Sequence, residues 1–212
     1  MSTTATREKP ILFSGEMVRA ILDGRKTQTR RVVKLPDDNF SHVQRMQYVG
    51  EPHDHFWRFS ASDGKATKTH DAFGPYGKVG DQLRISEEVT VTPYEKAGYE
   101  VLFHADRSLV VRYGDPELMA KVRGYRDGHL RGVHLPPAYA RNLRLEITGV
   151  RIERLNDISE ADAEAEGVPF SLMGATHKVG FENLWNSING SGSWAANPWT
   201  WVISFRPTEP AR

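Results

Sequence analysis

Gly24-Arg25-Lys26-Thr27-Gln28-Thr29-Arg30-Arg31 follows directly on Ser14-Gly-Glu-Met-Val-Arg-Ala-Ile-Leu-Asp23. In the earlier segment Met17, Val18, Ile21 and Leu22 recur at helical spacing, and Ser14 is a residue type that caps helix N-termini. Gly24 stands where a glycine ends a helix in the left-handed conformation. The pattern predicts a short amphipathic helix, a sharp turn and an exit at Lys26. Four cations and two hydroxyls share the eight residues of the turn. A lysine held by such a turn can be aimed into a cleft, and partial desolvation lets its amine act as base or nucleophile near neutral pH. The same cluster also suits a solvated basic loop or a phosphate contact.

Outward from that turn, composition narrows the options. The chain has 212 residues, enough for one domain with insertions and a real core. Net charge is +1, so bulk electrostatics does not announce a nucleic-acid binder. Charge is uneven, however: residues 1–34 hold eight basic side chains against three acidic ones, a local excess suited to an anionic or polynucleotide ligand. The absence of cysteine excludes disulfides, thiolate nucleophiles and cysteine-based metal sites. Catalysis would then use Lys, hydroxyl, His or carboxylate, with no cofactor. No apolar run approaches membrane-spanning length, and residues 1–6 are polar without a signal-peptide core, so the expectation is a cytoplasmic protein with no membrane partner.

Along the chain, Ile11-Leu-Phe13 reads as a buried strand leading into the Ser14 helix. Residues 36–77 read as an insertion with one hairpin. Within it His53-Asp54-His55 invites a metal, but Pro52 argues against a regular element and no third ligand stands at useful spacing, so no metal site is assigned. Gln82 to Ile85 and Val89 to Thr92 read as strands flanking Glu87 and Glu88. A second insertion spans about 93–134, with strand-like runs at Val101-Leu-Phe103 and Leu109-Val-Val-Arg112, while Tyr125 to His134 suits a surface loop in preference to a lid over a ligand. Leu143 to Ile147 alternates, and Thr148-Gly149 shifts the phase, the mark of a bulged strand. Ser159 opens a capped helix that Gly167 closes, leaving Glu166 at the end where the helix dipole disfavours a carboxylate or asks for a cation. Phe181, Leu184, Trp185 and Ile188 mark a core-facing helix, and Trp199, Trp201, Ile203 and Phe205 a last strand.

Three stretches, Lys9-Pro-Ile-Leu-Phe-Ser-Gly15, Gly24 to Arg31 and Gly80-Asp-Gln-Leu-Arg-Ile-Ser-Glu87, resemble the ASCH domain family in the longer form common in phages and prophages. Leu155 to Gly167 resembles the family's acidic helix, and Leu184 to Asn189 with Asn197 to Phe205 its closing helix and strand, so the matches are spread over nearly the whole chain. The resemblance implies one α+β domain over residues 1–212: a PUA-like, mostly antiparallel open β-barrel with a few short helices and the two insertions. That fold is known in RNA-binding modules. One compact branch of the family hydrolyses N4-acetylcytidine with a lysine, a threonine and a glutamate. Its Gly-Arg-Lys-Thr-x-Thr-x-Arg run maps onto Gly24 to Arg31, which puts the catalytic lysine at Lys26 and threonine at Thr29. Its Ala-Glu-x-Glu helix end maps onto Ala163 to Glu166 and puts the glutamate at Glu166. The resemblance further implies Ser14, Arg25, Arg30, Arg31 and Glu87 as substrate-binding residues, with a modified nucleoside or RNA as partner. Where the family more often carries Trp and Arg, this chain has Arg84 and Ser86. Two other roles fit the same resemblance: a non-catalytic module for RNA or modified nucleic acid, and a ribonuclease drawing on His134 or Glu87.

Overall fold

The Ser14 hydroxyl accepts a hydrogen bond from the Met17 backbone N–H at 3.4 Å and starts helix α1, Gly15–Leu22. Val18, Ala20 and Ile21 are buried, whereas Leu22 is exposed, because one further residue turns the side chain by about 100° out of so narrow a stripe. Gly24 has φ +74° and ends the helix in the left-handed region open to glycine. The computed structural model describes residues 7–35, 45–49, 56–62, 67–72, 74–94, 98–113, 129–131, 143–168 and 176–208. Pro52, His53, Asp54, His55 and His134, singled out above, lie outside them.

The chain divides into two compact units, Met1–Lys26 with Gly80–Glu146 and Arg206–Arg212, and Thr27–Val79 with Ile147–Phe205. The described residues are mixed α+β, mostly strand with three α-helices, and the sheets are open. Where strand register is defined, one pair is parallel and the rest are antiparallel. No helix among the described residues is long and apolar enough to cross a membrane.

In the first unit β1 (Glu8–Leu12) runs parallel to β6 (Gln82–Ser86), which pairs antiparallel with the opening residues of β11 (Arg144–Arg154). Ile11, Leu83, Ile85 and Leu145 fill the covered face, as their alternation requires. A four-stranded sheet in the order β10-β7-β8-β9 comprises β7 (Glu88–Tyr94), β8 (Gly98–Phe103), β9 (Leu109–Tyr113) and β10 (His129–Arg131). The second insertion is thus largely sheet, and three residues of its expected surface loop are strand β10. Strand β7 continues through Pro93, past the residues 88–90 that β10 covers, where a missing N–H is tolerated.

In the second unit the rest of β11, β12 (Trp199–Thr208) and β2 (Gln28–Val32) lie in that order. Both faces of β12 are buried from Thr200 to Ile203, as befits its central place, whereas Trp199 is only partly covered. The inward set of β11 moves from odd positions, Leu145 and Ile147, to even, Ile152, across the expected phase shift at Thr148-Gly149. Residues 36–77 supply not one hairpin but a three-stranded sheet, β3 (Arg45–Val49), β4 (Phe56–Ser62) and β5 (Thr67–Ala72), clasped by a two-bond Arg58–Asp71 pair across β4 and β5.

Helix α2 (Glu160–Ala165) begins at Ser159, whose hydroxyl accepts from Asp162 N–H at 3.1 Å, and Gly167 with φ +81° follows its end. Helix α3 (His177–Asn189) packs Phe181 and Trp185 onto Leu155, Ile158, Ala163 and Val168. Burying such side chains contributes about 1.5–3 kcal/mol each. Ile188, expected to face inward, is exposed: it lies in the last turn, beyond the reach of that cluster.

At Gly24 a Cβ would meet no atom within 4 Å, so the cost of adding one is conformational alone. Gly24→Ala should destabilise the protein by about 1–2 kcal/mol, the left-handed penalty, lowering the urea midpoint without changing the slope.

Candidate functional site

The turn after α1 is tied back to the helix by its own backbone. Gly24 N–H donates to Ile21 O at 3.0 Å, and Arg25 and Lys26 N–H both donate to Ala20 O, at 2.9 and 3.0 Å. These bonds satisfy carbonyls that a helix end leaves open and hold Lys26 at a fixed point. Its side chain is 1% exposed, with the ammonium 5.8 Å from the centre of the Phe13 ring. Arg25, by contrast, is exposed and pairs with Asp23 at 2.7 Å, and Ser14 serves as the α1 cap. Glu87 is also 1% exposed, at the junction of β6 and β7. Next to it the Ser86 hydroxyl is buried with no hydrogen-bond partner among the described residues, an arrangement that costs about 1–3 kcal/mol.

In the second unit Thr27 N–H donates to Ala165 O at 2.8 Å, and Thr27 O accepts from Phe205 N–H at 2.9 Å. The chain then enters β2, whose alternation sends Thr29 and Arg31 to one face and Gln28 and Arg30 to the other. Thr29 is 1% exposed, and its Oγ1 accepts from Arg31 Nη1 at 2.9 Å. Arg31 Nη1 also donates to Arg30 O at 3.0 Å.

The other face holds a buried ionic network. The Arg30 side chain is fully buried, its Nη1 donating to Gln28 Oε1 at 2.6 Å and to Glu166 Oε1 at 3.0 Å. Nη2 donates to Glu153 and lies 3.5 Å from Asp162 Oδ2. The guanidinium stands over the Phe181 ring, 5.8 Å from its centre. Gln28 Nε2 donates to Asp162 Oδ1 at 3.1 Å, while Arg151 bridges Glu153 and Asp162 at 3.1 and 3.0 Å. Glu166, the C-cap of α2, thus has the cation that its unfavourable helix end asks for.

The sequence thus yields the turn, the lysine that leaves it and the glutamate at the helix end, and the structure adds the burial of Lys26 and, around Arg30 and Glu166, Gln28, Arg151, Glu153 and Asp162. Two local patterns carry a signal for these additions: Arg151 and Glu153 at i, i+2 share a strand face, and Asp162 and Glu166 at i, i+4 share a helix face. Nothing local says that both pairs meet Arg30. Among the described residues no group of three or more His, Asp or Glu is arranged to hold a metal ion. Compared with family models, curated proteins and solved structures, the chain matches none.

Burial pushes the Asp162 carboxyl up, but the hydrogen bond from Gln28, the charge and hydrogen bond of Arg151 and the contact with Ser159 outweigh it and hold the group below its ordinary value. A carboxyl depressed in the folded state adds stability that is complete above the unfolded pKa and is lost as pH falls through the folded one. Stability should therefore decline below about pH 3.9, the ordinary aspartate value. Asp162→Asn, measured by urea denaturation against pH, should be less stable than wild type at neutral pH and should show a shallower acid decline.

Proposed function

We propose that the chain is an ASCH-type amidohydrolase with a PUA-like fold, which removes an acyl group from a modified nucleoside such as N4-acetylcytidine. Lys26, Thr29 and Glu166 are the reacting groups of this reading. The observation that carries it is the burial of Lys26. The amine is held at 1% exposure, 5.8 Å from the centre of the Phe13 ring and at the end of a fixed turn, so it is aimed at one place away from bulk water. A surface loop or a phosphate contact would leave the amine in water.

Amide hydrolysis needs a nucleophile, a proton for the leaving amine and donors for the oxyanion. The nucleophile, the Thr29 hydroxyl or a water, gives its proton to Lys26 as its oxygen attacks the acyl carbonyl. The C–N bond breaks as that proton is passed on to the leaving cytidine amine through Glu166. If Thr29 attacked, the acyl-threonine ester left behind is then hydrolysed by a water to acetate and free Thr29, and if water attacked, acetate is formed directly. Arg31, donating to Thr29 Oγ1, stabilises negative charge on that oxygen. Within the second unit, the backbone bond from Thr27 to Ala165 ties the entry to β2 to the residue before Glu166. Thr29, whose oxygen accepts from Arg31, lies on the opposite face of β2 from Arg30, which holds Glu166.

Wild type should release cytidine from N4-acetylcytidine, followed by chromatography. Lys26→Ala and the closer match in volume Lys26→Met, each checked for folding by thermal denaturation, should lose at least about 100-fold in kcat, the lower end of general acid–base contributions. Full activity in a folded Lys26→Met protein overturns the assignment. Retention of single-stranded RNA without turnover would favour the non-catalytic module instead, with a steep salt dependence if several phosphates are held.

A further inference from the structure

We propose that Arg30 is a positioning residue, which holds the Glu166 carboxylate for the reaction and does not contact the substrate. This rests on the hydrolase reading above. Arg30 belongs to the same basic run as Lys26, where its charge suggests an anion ligand, but its terminal donors are committed. Nη1 serves Gln28 and Glu166, and Nη2 serves Glu153 and faces Asp162. The remaining nitrogen, Nε, is buried without a hydrogen-bond partner among the described residues, and the guanidinium stands over Phe181. No part of the side chain is exposed for a phosphate or a base to reach.

What the guanidinium does hold is Glu166, the C-cap of a six-residue helix. A carboxylate at such a position is free to rotate and is repelled by the helix dipole. A planar fork reaching Glu166 from one nitrogen and Glu153 from the other fixes direction as well as charge, which a lysine's single ammonium cannot do. Gln28 braces the fork, and its own amide is tied to Asp162. The Glu166 carboxylate is therefore oriented before any ligand arrives, the condition under which a proton relay is effective.

The test is steady-state kinetics on N4-acetylcytidine with wild type, Arg30→Lys, Glu166→Gln and the double variant, each first shown to be folded by thermal denaturation. Arg30→Lys should lower kcat by about 10- to 100-fold, the usual effect of removing a group that orients a catalytic one, and leave KM within about twofold. In the Glu166→Gln background the same change should cost little more, because its effect passes through Glu166. If Arg30→Lys does not fold, Gln28→Met, which removes the brace but no charge, should show the same split at smaller size. A raised KM with kcat retained, or losses that multiply in the double variant, overturns the inference while wild-type turnover leaves the hydrolase reading intact. No turnover by wild type overturns both.

Discussion

Arginine cannot shed its proton at any accessible pH, so burying Arg30 commits the second unit to surrounding it with anions. Taking such a charge out of water costs several kcal/mol even after relaxation, and only close, well-directed partners offset it. Three carboxylates do so, Glu153 from β11 and Asp162 and Glu166 from α2, with Gln28 from β2 itself. Arg151 returns part of the positive charge by bridging Glu153 and Asp162. Helix α2 is six residues long, too short to be stable by its own hydrogen bonds. It is held by its Ser159 cap, by Ala163 in the core and by the two carboxylates it offers to Arg30.

Lys26 is likewise shut away from solvent, at 1% exposure. The two cations of one basic run thus stand in different surroundings. Arg30 builds the frame around Glu166, and Lys26, turned in by the Gly24 bend and packed over Phe13, is the candidate for chemistry. Arg25, on the outside of the same turn, shows what the motif looks like without burial: an exposed pair with its near neighbour Asp23.

How much could be read in advance follows the range of the forces involved. Caps, glycine turns and alternation act within a few residues, so the Ser14 and Ser159 helix starts, the Gly24 and Gly167 ends and the phase shift in β11 were legible. Residues 36–77 were not, because polar and aromatic residues without a clear period leave strand pairing to distant partners, and three paired strands lie where one hairpin was expected. Ile188, expected to face inward, and Leu22, on the apolar side of α1, are exposed for a related reason. Periodicity shows which side of a helix is apolar but not how far the opposing core extends.

By itself, then, the sequence determined the local frame: a helix that must end at Gly24, a lysine released just after it, and a glutamate at the close of a short acidic helix. It also set the chemistry available, lysine, hydroxyl, histidine and carboxylate with no thiol. Only the tertiary structure decided which cations are buried and what surrounds them. Charge and spacing treat Arg25, Lys26, Arg30 and Arg31 as one basic cluster. Packing exposes the first, places the second over an aromatic ring, encloses the third among carboxylates and sets the fourth on a threonine. For Arg30 the physical reason is that its ion pairs reach residues more than a hundred positions away in the chain, as the Arg30–Glu153 and Arg30–Glu166 separations of 123 and 136 show.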